Sequence, residues 1–352
     1  MKDNRRERKI YPPAFKGRIR EERIELAHGA GGLKMHRLID EIFLRHFGNP
    51  MLNRREDSAV VGVPKGELCF TTDSFVVKPI FFPGGDIGKL AVCGTVNDLA
   101  VVGAKPLYLA MSFVLQEGLP FTTLERVCRS ICKTASAARV IVVTGDTKVI
   151  EGNGEEEMFI TTSGVGVRPQ GVRLGTEYVK KGDVLILSGG LGEHEAAIAI
   201  ARGSYHFRAK LMSDCAPLNQ MVLATMRQGG IKLMRDPTRG GLATTLNEFS
   251  RECGFGFVVE EELVPVKRAV QGVAMLLGLD PWYMANEGKV VMVVAKERVE
   301  SVLRVLRRFP NGREAKVIGE VVEEPAGVWV KTKIGSLRRL LMLEGEQLPR
   351  IC

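Results

Sequence analysis

Residues 70–106 read FTTDSFVVKPIFFPGGDIGKLAVCGTVNDLAVVGAKP. The stretch LCFTTDSFVV (68–77) is rich in β-branched and aromatic residues and reads as a strand. FFPGG then places glycines ahead of DIGKLAVCGTVNDLAVVG, which reads as a helix with Val92, Val96, Leu99 and Gly103 along one face. A strand handing over to a helix through a glycine turn is a unit of a mixed α/β chain, and the sequence on either side continues in the same manner.

Downstream, a helix-like stretch over 122–138 enters the strand ARVIVVTGD, and GVGVRP (164–169) closes the first half. GDVLILSGG restarts the pattern as a strand, followed by the helix-like EHEAAIAIARG. Helices are read over NQMVLATMRQ and DPTRGGLATTLNEFSREC, and a strand over FGFVVE. KVVMVVAK, ERVESVLRVLRRF, AKVIGEVVEE and VWVKT follow as strand, helix, strand and strand. The mixture predicts an α/β (α+β) class. At 352 residues two domains are expected, here 24–170 and 171–332, divided near Pro169 to Gly175. A basic extension (1–23), expected to be disordered, precedes them, and a tail (333–352) follows.

The charge of +9 is concentrated at the ends. Residues 1–23 hold nine Lys/Arg against four Asp/Glu, and residues 331–352 hold five against two, which leaves the body near neutral. No basic stripe is available for phosphates to follow, so a nucleic-acid partner is not expected. The opening MKDNRRERKIYPPAFKGRIREER has neither an apolar core nor a cleavage site, and no apolar run approaches the ~18–20 residues of a membrane span. A soluble, cytoplasmic protein is expected. Of seven cysteines, Cys128 and Cys132 lie one helical turn apart, but no second pair completes a zinc site. His194-Glu195 lacks the second histidine of a zinc hydrolase, and no GxSxG elbow is present.

Five short stretches combine an acidic residue with glycine or threonine at the end of an apolar segment, and they contribute Asp57, Asp73, Asp98, Asp146 and Asp236. Any one of them reads as a plain cap or turn residue. Together they form the kind of set through which magnesium (Mg2+) bridges nucleotide phosphates, being held by a few carboxylates plus substrate oxygens. On its helix Asp98 neighbours Gly94 and Thr95, a small face that a ligand can approach closely. LILSGGLGEHEAA offers a glycine turn ahead of a helix, a weak anion-site signal because it is neither a P-loop nor GxGxxG.

The sequence ends in LPRIC. Pro349 fixes its own backbone and pushes Leu348 toward an extended form, and six residues from Gln347 reach at most ~20 Å. Arg350 offsets the carboxylate beside the Cys352 thiol. Prenylation needs three residues after the cysteine, so Cys352 reads as a carrier of a group or as an incidental surface thiol.

HGAGG (28–32), the 70–106 stretch, VVTGDTKV (142–149), SDCAPL (213–218), DPTRGGLA (236–243), NEG (286–288) and the terminal PRIC together resemble the HypE family of hydrogenase maturation factors. These are carbamoyl dehydratases in the superfamily of aminoimidazole ribonucleotide synthetases and selenophosphate synthetases. The resemblance spans about 24–352. It implies two α/β domains whose N-terminal halves pair through a β-barrel in a homodimer, with ATP bound beside that interface. It implies a carbamoyl group delivered to Cys352 by the carbamoyltransferase HypF, ATP-driven dehydration to a thiocyanate, and transfer of the cyanide to iron on a HypC–HypD complex. By the same resemblance Asp57, Asp73, Asp98 and Asp236 match metal and nucleotide positions, and Asp146, Asn97 and Thr147 match nucleotide positions. Glu287 is implied as the base, Lys148 as the orienting or charge-stabilising group, and Cys352 as the covalent carrier. A selenophosphate synthetase-like activity is disfavoured because no cysteine precedes Cys69. A nucleotide-dependent scaffold that docks its tail on a partner is the remaining alternative. Two features depart from the family pattern: Glu195 follows His194 where the family carries GxHG, and the basic extension is unusual.

Overall fold

The computed structural model describes residues 22–152, 157–203, 211–343 and 345. The expected basic extension, apart from Glu22 and Arg23, and the terminal LPRIC with Cys352 lie outside the described residues.

The first half runs through α1 (Leu33–Leu38), α2 (Arg45–Phe47), β1 (Glu67–Phe75), β2 (Phe81–Phe82), β3 (Gly85–Asp86), α3 (Ile87–Val101), β4 (Lys105–Gln116), α4 (Phe121–Ala138), β5 (Ile141–Ile150) and β6 (Met158–Arg168). Its main sheet has the order β1-β6-β4-β5, with β4 and β5 parallel and the other pairs antiparallel. Strands β1 and β5 therefore form its two edges.

The second half continues with β7 (Val184–Leu187), α5 (Glu193–Arg202), α6 (Asn219–Met226), β8 (Ile231–Arg235), α7 (Gly241–Cys253), β9 (Gly256–Glu260), α8 (Arg268–Leu277), β10 (Val291–Val294), α9 (Val299–Leu306), β11 (Lys316–Val322), β12 (Val328–Lys331) and β13 (Leu337–Arg339). Seven of these strands form a sheet ordered β13-β12-β9-β11-β7-β10-β8. Both sheets are mixed with helices, as the α/β (α+β) reading expects.

Helix α3 positions most of the site. Its N-cap is Asp86, whose carboxylate accepts from the N–H groups of Gly88 (2.8 Å) and Lys89 (3.0 Å) and so satisfies two orphan donors of the first turn. The sequence reading gave this helix one apolar face, but the structure buries it on nearly all sides. Only Lys89 and Asp98 of its fifteen residues are less than fully buried. The reason is tertiary: β1, β6 and α4 cover one side and α6 of the second half covers another. Ala100 and Val101 join Ile186, Leu218 and Met221 in one apolar cluster shared by both halves. At Gly94 a side chain would not fit, because a Cβ there would stand 2.8 Å from Cζ of Phe75.

Three local readings are corrected. The helix read over 236–253 begins only at Gly241, since Pro237 and the positive φ of Gly240 and Gly241 turn the chain first. The sequence reading assigned no element to α1, α2, β2, β3, β4, β6, β8 or α8. Residues 333–340, set apart as tail, supply β13, which pairs with β12, and the fully buried Leu340. Among the described residues no helix is long and apolar enough to cross a membrane.

Candidate active site

Three of the aspartates meet where the halves join. Asp73 lies near the end of β1 and Asp98 near the end of α3, while Asp236 opens the turn after β8. Thr71 Oγ1 donates to Asp98 Oδ2 at 3.0 Å. Burial pushes the Asp98 carboxyl above the usual range, and the charge of Asp73 pushes it further. Burial raises Asp236 to about 7, with Asp98 and Asp73 adding repulsion. Arg239 Nη2 stands 4.0 Å from Asp73 Oδ1 on a side chain 94% exposed, and Arg235 and Arg239 partly offset the charge at Asp98. Neighbouring carboxyls that repel one another are a poor arrangement for stability and a good one for receiving a cation.

Glu287 faces the same region. Its carboxyl is pushed well above the ordinary range, by burial first, then by the Cys215 thiol and by Asp236 and Asp214. Its backbone is held on both sides, the N–H donating to Asp214 Oδ1 (3.2 Å) and the carbonyl accepting from Ala216 N–H (3.1 Å). Cys215 shares a thiol contact with Cys93 of α3, and this contact, together with burial, raises its pKa. Both thiols are buried, in keeping with the inert role expected of most cysteines here.

The glycine turn before α5 brings His194 against Ser213, with Nδ1 and Oγ 2.8 Å apart. Burial lowers the imidazole to about 4, so at neutral pH it is uncharged. Glu195, the departure from GxHG, turns away from any anion at this turn. Its Oε2 accepts from the N–H of Ala285 at 2.7 Å, which makes it a brace for the loop leading to Glu287.

Residues 55–168 match the N-terminal domain, and 180–331 the C-terminal domain, of the AIR synthase related proteins. The chain is 47% identical to the carbamoyl dehydratase HypE of Cupriavidus necator over 337 residues, covering 95% of this chain and 96% of that protein. The chain belongs to the HypE family of carbamoyl dehydratases. Its fold superimposes on a crystal structure of HypE in complex with ATP with a TM-score of 0.88 at 45% identity, covering 93% of this chain and 99% of the other. It also matches HypE in a HypE–HypF complex, with a TM-score of 0.76 at 42% identity over 87% of this chain and 99% of the other.

Against what the HypE resemblance implied, the residues divide into two groups. Asp73, Asp98, Asp236 and Glu287 interact at one place. Asp146, Thr147 and Lys148 lie on β5, at the opposite edge of the sheet from β1, three interstrand steps or about 14 Å away. Thr147 is buried there, while Asp146 and Lys148 are exposed. Gly145, Asp146 and Thr147 line a cavity of about 270 Å³ under the N-terminal helices, walled by Phe43, Phe47 and Met111. Asp57 lies on an exposed loop. Among the described residues no group of three acidic, histidine or cysteine side chains is gathered to hold a metal by itself.

Asn97, expected beside the nucleotide, is 0% exposed and committed to the protein interior. Its Nδ2 donates to the carbonyls of Ala216 (3.2 Å) and Glu287 (3.5 Å), and its Oδ1 accepts from Leu218 N–H (2.8 Å). It ties α3 to the Glu287 loop. Sequence reasoning missed Arg235, Arg239, Asp214 and Lys289. The only signal for Asp214 was the motif SDCAPL, which stood without an assigned role.

Proposed function

We propose that this protein carries a carbamoyl group on the sulfur of Cys352 and dehydrates it to a thiocyanate in the Asp73–Glu287 cleft, driven by ATP, during hydrogenase maturation. The carrying observation is the Asp73, Asp98 and Asp236 cluster beside a desolvated Glu287. The likeness to HypE proteins crystallised with ATP and with HypF supports the nucleotide and the carbamoyltransferase HypF as partner. Delivery of the cyanide to a HypC–HypD complex completes the reading.

The side chains fit magnesium together with a nucleotide. Asp98 and Asp236 repel one another, and an incomplete cage suits an ion that takes one or two carboxylates and fills its remaining positions with phosphate oxygens and water. Asp98 and Asp236, with Asp73, would hold it, and Asp57 would approach from its loop. When bound, magnesium and ATP supply a phosphoryl group that turns the carbamoyl oxygen into a leaving group and neutralise the charge that develops on it. The oxygen then departs as phosphate, and the nitrogen gives up its two protons as the C≡N bond forms. Glu287, poorly solvated and therefore a strong base once ionised, takes one proton from that nitrogen, and the second leaves with the departing phosphate. Intact-mass analysis of the C-terminal peptide after incubation with carbamoyl phosphate, ATP, magnesium and HypF should show a carbamoyl adduct that then loses one water. An adduct that never loses water refutes the proposal.

Lys148 sits on the edge strand opposite the one that carries Asp73, and a homodimer, as the family resemblance implies, would offer a second route to the site. β1 is an edge strand of the first sheet and exposes Leu68 (63%) and Phe70 (68%). Closure of two such sheets into a barrel would bury these residues and carry the Asp146–Lys148 stretch of one copy toward the cleft of the other. Phe70→Glu is expected to convert a dimer to a monomer in sedimentation velocity and to reduce turnover. A wild-type protein that sediments as a monomer rules out this arrangement.

A further inference from the structure

The segment SDCAPL has no part in the chemistry above, yet it holds the putting-in-place of Glu287. We infer that Asp214 is a positioning residue whose carboxylate clamps the Glu287 and Gly288 amides and so fixes Glu287 beside the aspartates. This rests on the reading of Glu287 as the base of carbamoyl dehydration.

Three successive residues deliver donors to the one carboxylate. Asp214 Oδ1 accepts from Glu287 N–H at 3.2 Å, while Oδ2 accepts from Gly288 N–H at 3.1 Å and pairs with Lys289 Nζ at 3.2 Å. The Asp214 side chain is 2% exposed, so these contacts face little competition from water. Consecutive amides converging on an anion form a concave anion-binding turn. The turn closes so tightly that a Cβ on Gly288 would stand 1.8 Å from the Asp214 carbonyl oxygen. Two residues further on, Ala216 N–H binds the Glu287 carbonyl at 3.1 Å, so one short segment grips Glu287 from both sides.

That segment is itself anchored to the first half. Ser213 N–H donates to the Pro83 carbonyl (2.8 Å), and Leu218 N–H donates to Asn97 Oδ1 (2.8 Å). The clamp therefore sets Glu287 relative to α3 and hence to Asp98. Its charge is balanced elsewhere, because Lys289 also reaches Glu193 (3.3 Å) and Glu193 pairs with Lys267. Asp214 is thus occupied in holding backbone and acts on the substrate only through Glu287.

A carboxylate is needed because it is acceptor-only on both oxygens. Asp214→Asn keeps the volume and leaves Lys289 paired with Glu193, but it sets an NH2 against one of the donors. In full-length protein this variant is expected to slow loss of water from the carbamoylated Cys352 peptide by about tenfold to a hundredfold through misplacement of the base. Its KM for ATP and its loading with carbamoyl should stay at the wild-type level. A parallel loss of ATP affinity and turnover, or wild-type dehydration, overturns the inference. Hydrogen exchange supplies a readout independent of activity. The Glu287 and Gly288 amides should be protected in the wild type and exchange faster in Asp214→Asn. Rapid exchange in the wild type, or exchange unchanged by the substitution, removes the clamp whatever the reaction proves to be. Wild-type protein that never sheds water, with the amides still protected, would instead refute the assigned reaction and leave the clamp standing.

Discussion

Glu287→Gln is expected to stop dehydration while leaving the protein loaded. Removing a positioned general base costs about 10²- to 10⁴-fold, or about 3–5 kcal/mol of barrier. Glutamine keeps the volume, and the contacts that hold Glu287 in place run through its backbone N–H and carbonyl, which the substitution does not change. The fold, ATP binding and carbamoyl transfer should therefore persist, and the C-terminal peptide should accumulate in its carbamoylated mass. A variant that converts the adduct to thiocyanate at the wild-type rate would remove Glu287 from the mechanism and move the search for a base to Lys148.

Asp236→Asn should make the protein more stable and less active at once. The folded protein holds the Asp236 proton up to about 7, against an ordinary value of 3.8. The folded state therefore binds a proton more tightly than the unfolded chain does. For this group, stability is complete below the unfolded value and is lost as pH rises from about 4 through about 7. At about 1.4 kcal/mol per unit, ionised Asp236 costs up to about 4 kcal/mol at pH 8 without a cation. Asparagine carries no such penalty, so the denaturation midpoint of the variant at pH 8 should rise toward the value both proteins show at low pH. Magnesium with nucleotide should stabilise the wild type at pH 8 and the variant much less. A variant no more stable than wild type at pH 8 would show that Asp236 is compensated by groups other than a bound cation. The same carboxyl would then be a structural residue.

These two residues also show how far the sequence could be read. NEG and DPTRGGLA were legible as motifs, and the resemblance gave Glu287 and Asp236 their roles. Neither motif carries the information that burial and mutual repulsion place both carboxyls out of their ordinary range. The resemblance implied Asn97, like its neighbour Asp98, as a nucleotide residue. On a helix, however, adjacent residues point about 100° apart, and Asn97 points into the protein, toward the Glu287 loop. Glu195 looked like an electrostatic misfit, and only the Ala285 amide that it caps explains it.

By itself the sequence determined the mixed α/β class, the strand–turn–helix unit at 68–103, the near-neutral body and membership of the HypE family. These follow from local periodicity, turn chemistry and a chain of short motifs, all of which are written in neighbouring residues. Tertiary structure alone decided that α3 is buried on nearly all sides, that Asp73, Asp98, Asp236 and Glu287 meet while Asp146 and Lys148 stand at the far sheet edge, and that Asp214 binds the Glu287 and Gly288 amides. Each of these depends on contacts between residues far apart in the chain, such as Asn97 with Glu287. Such contacts form only when two separately patterned halves pack their apolar faces against one another, and no local pattern specifies which polar groups that packing will bring together.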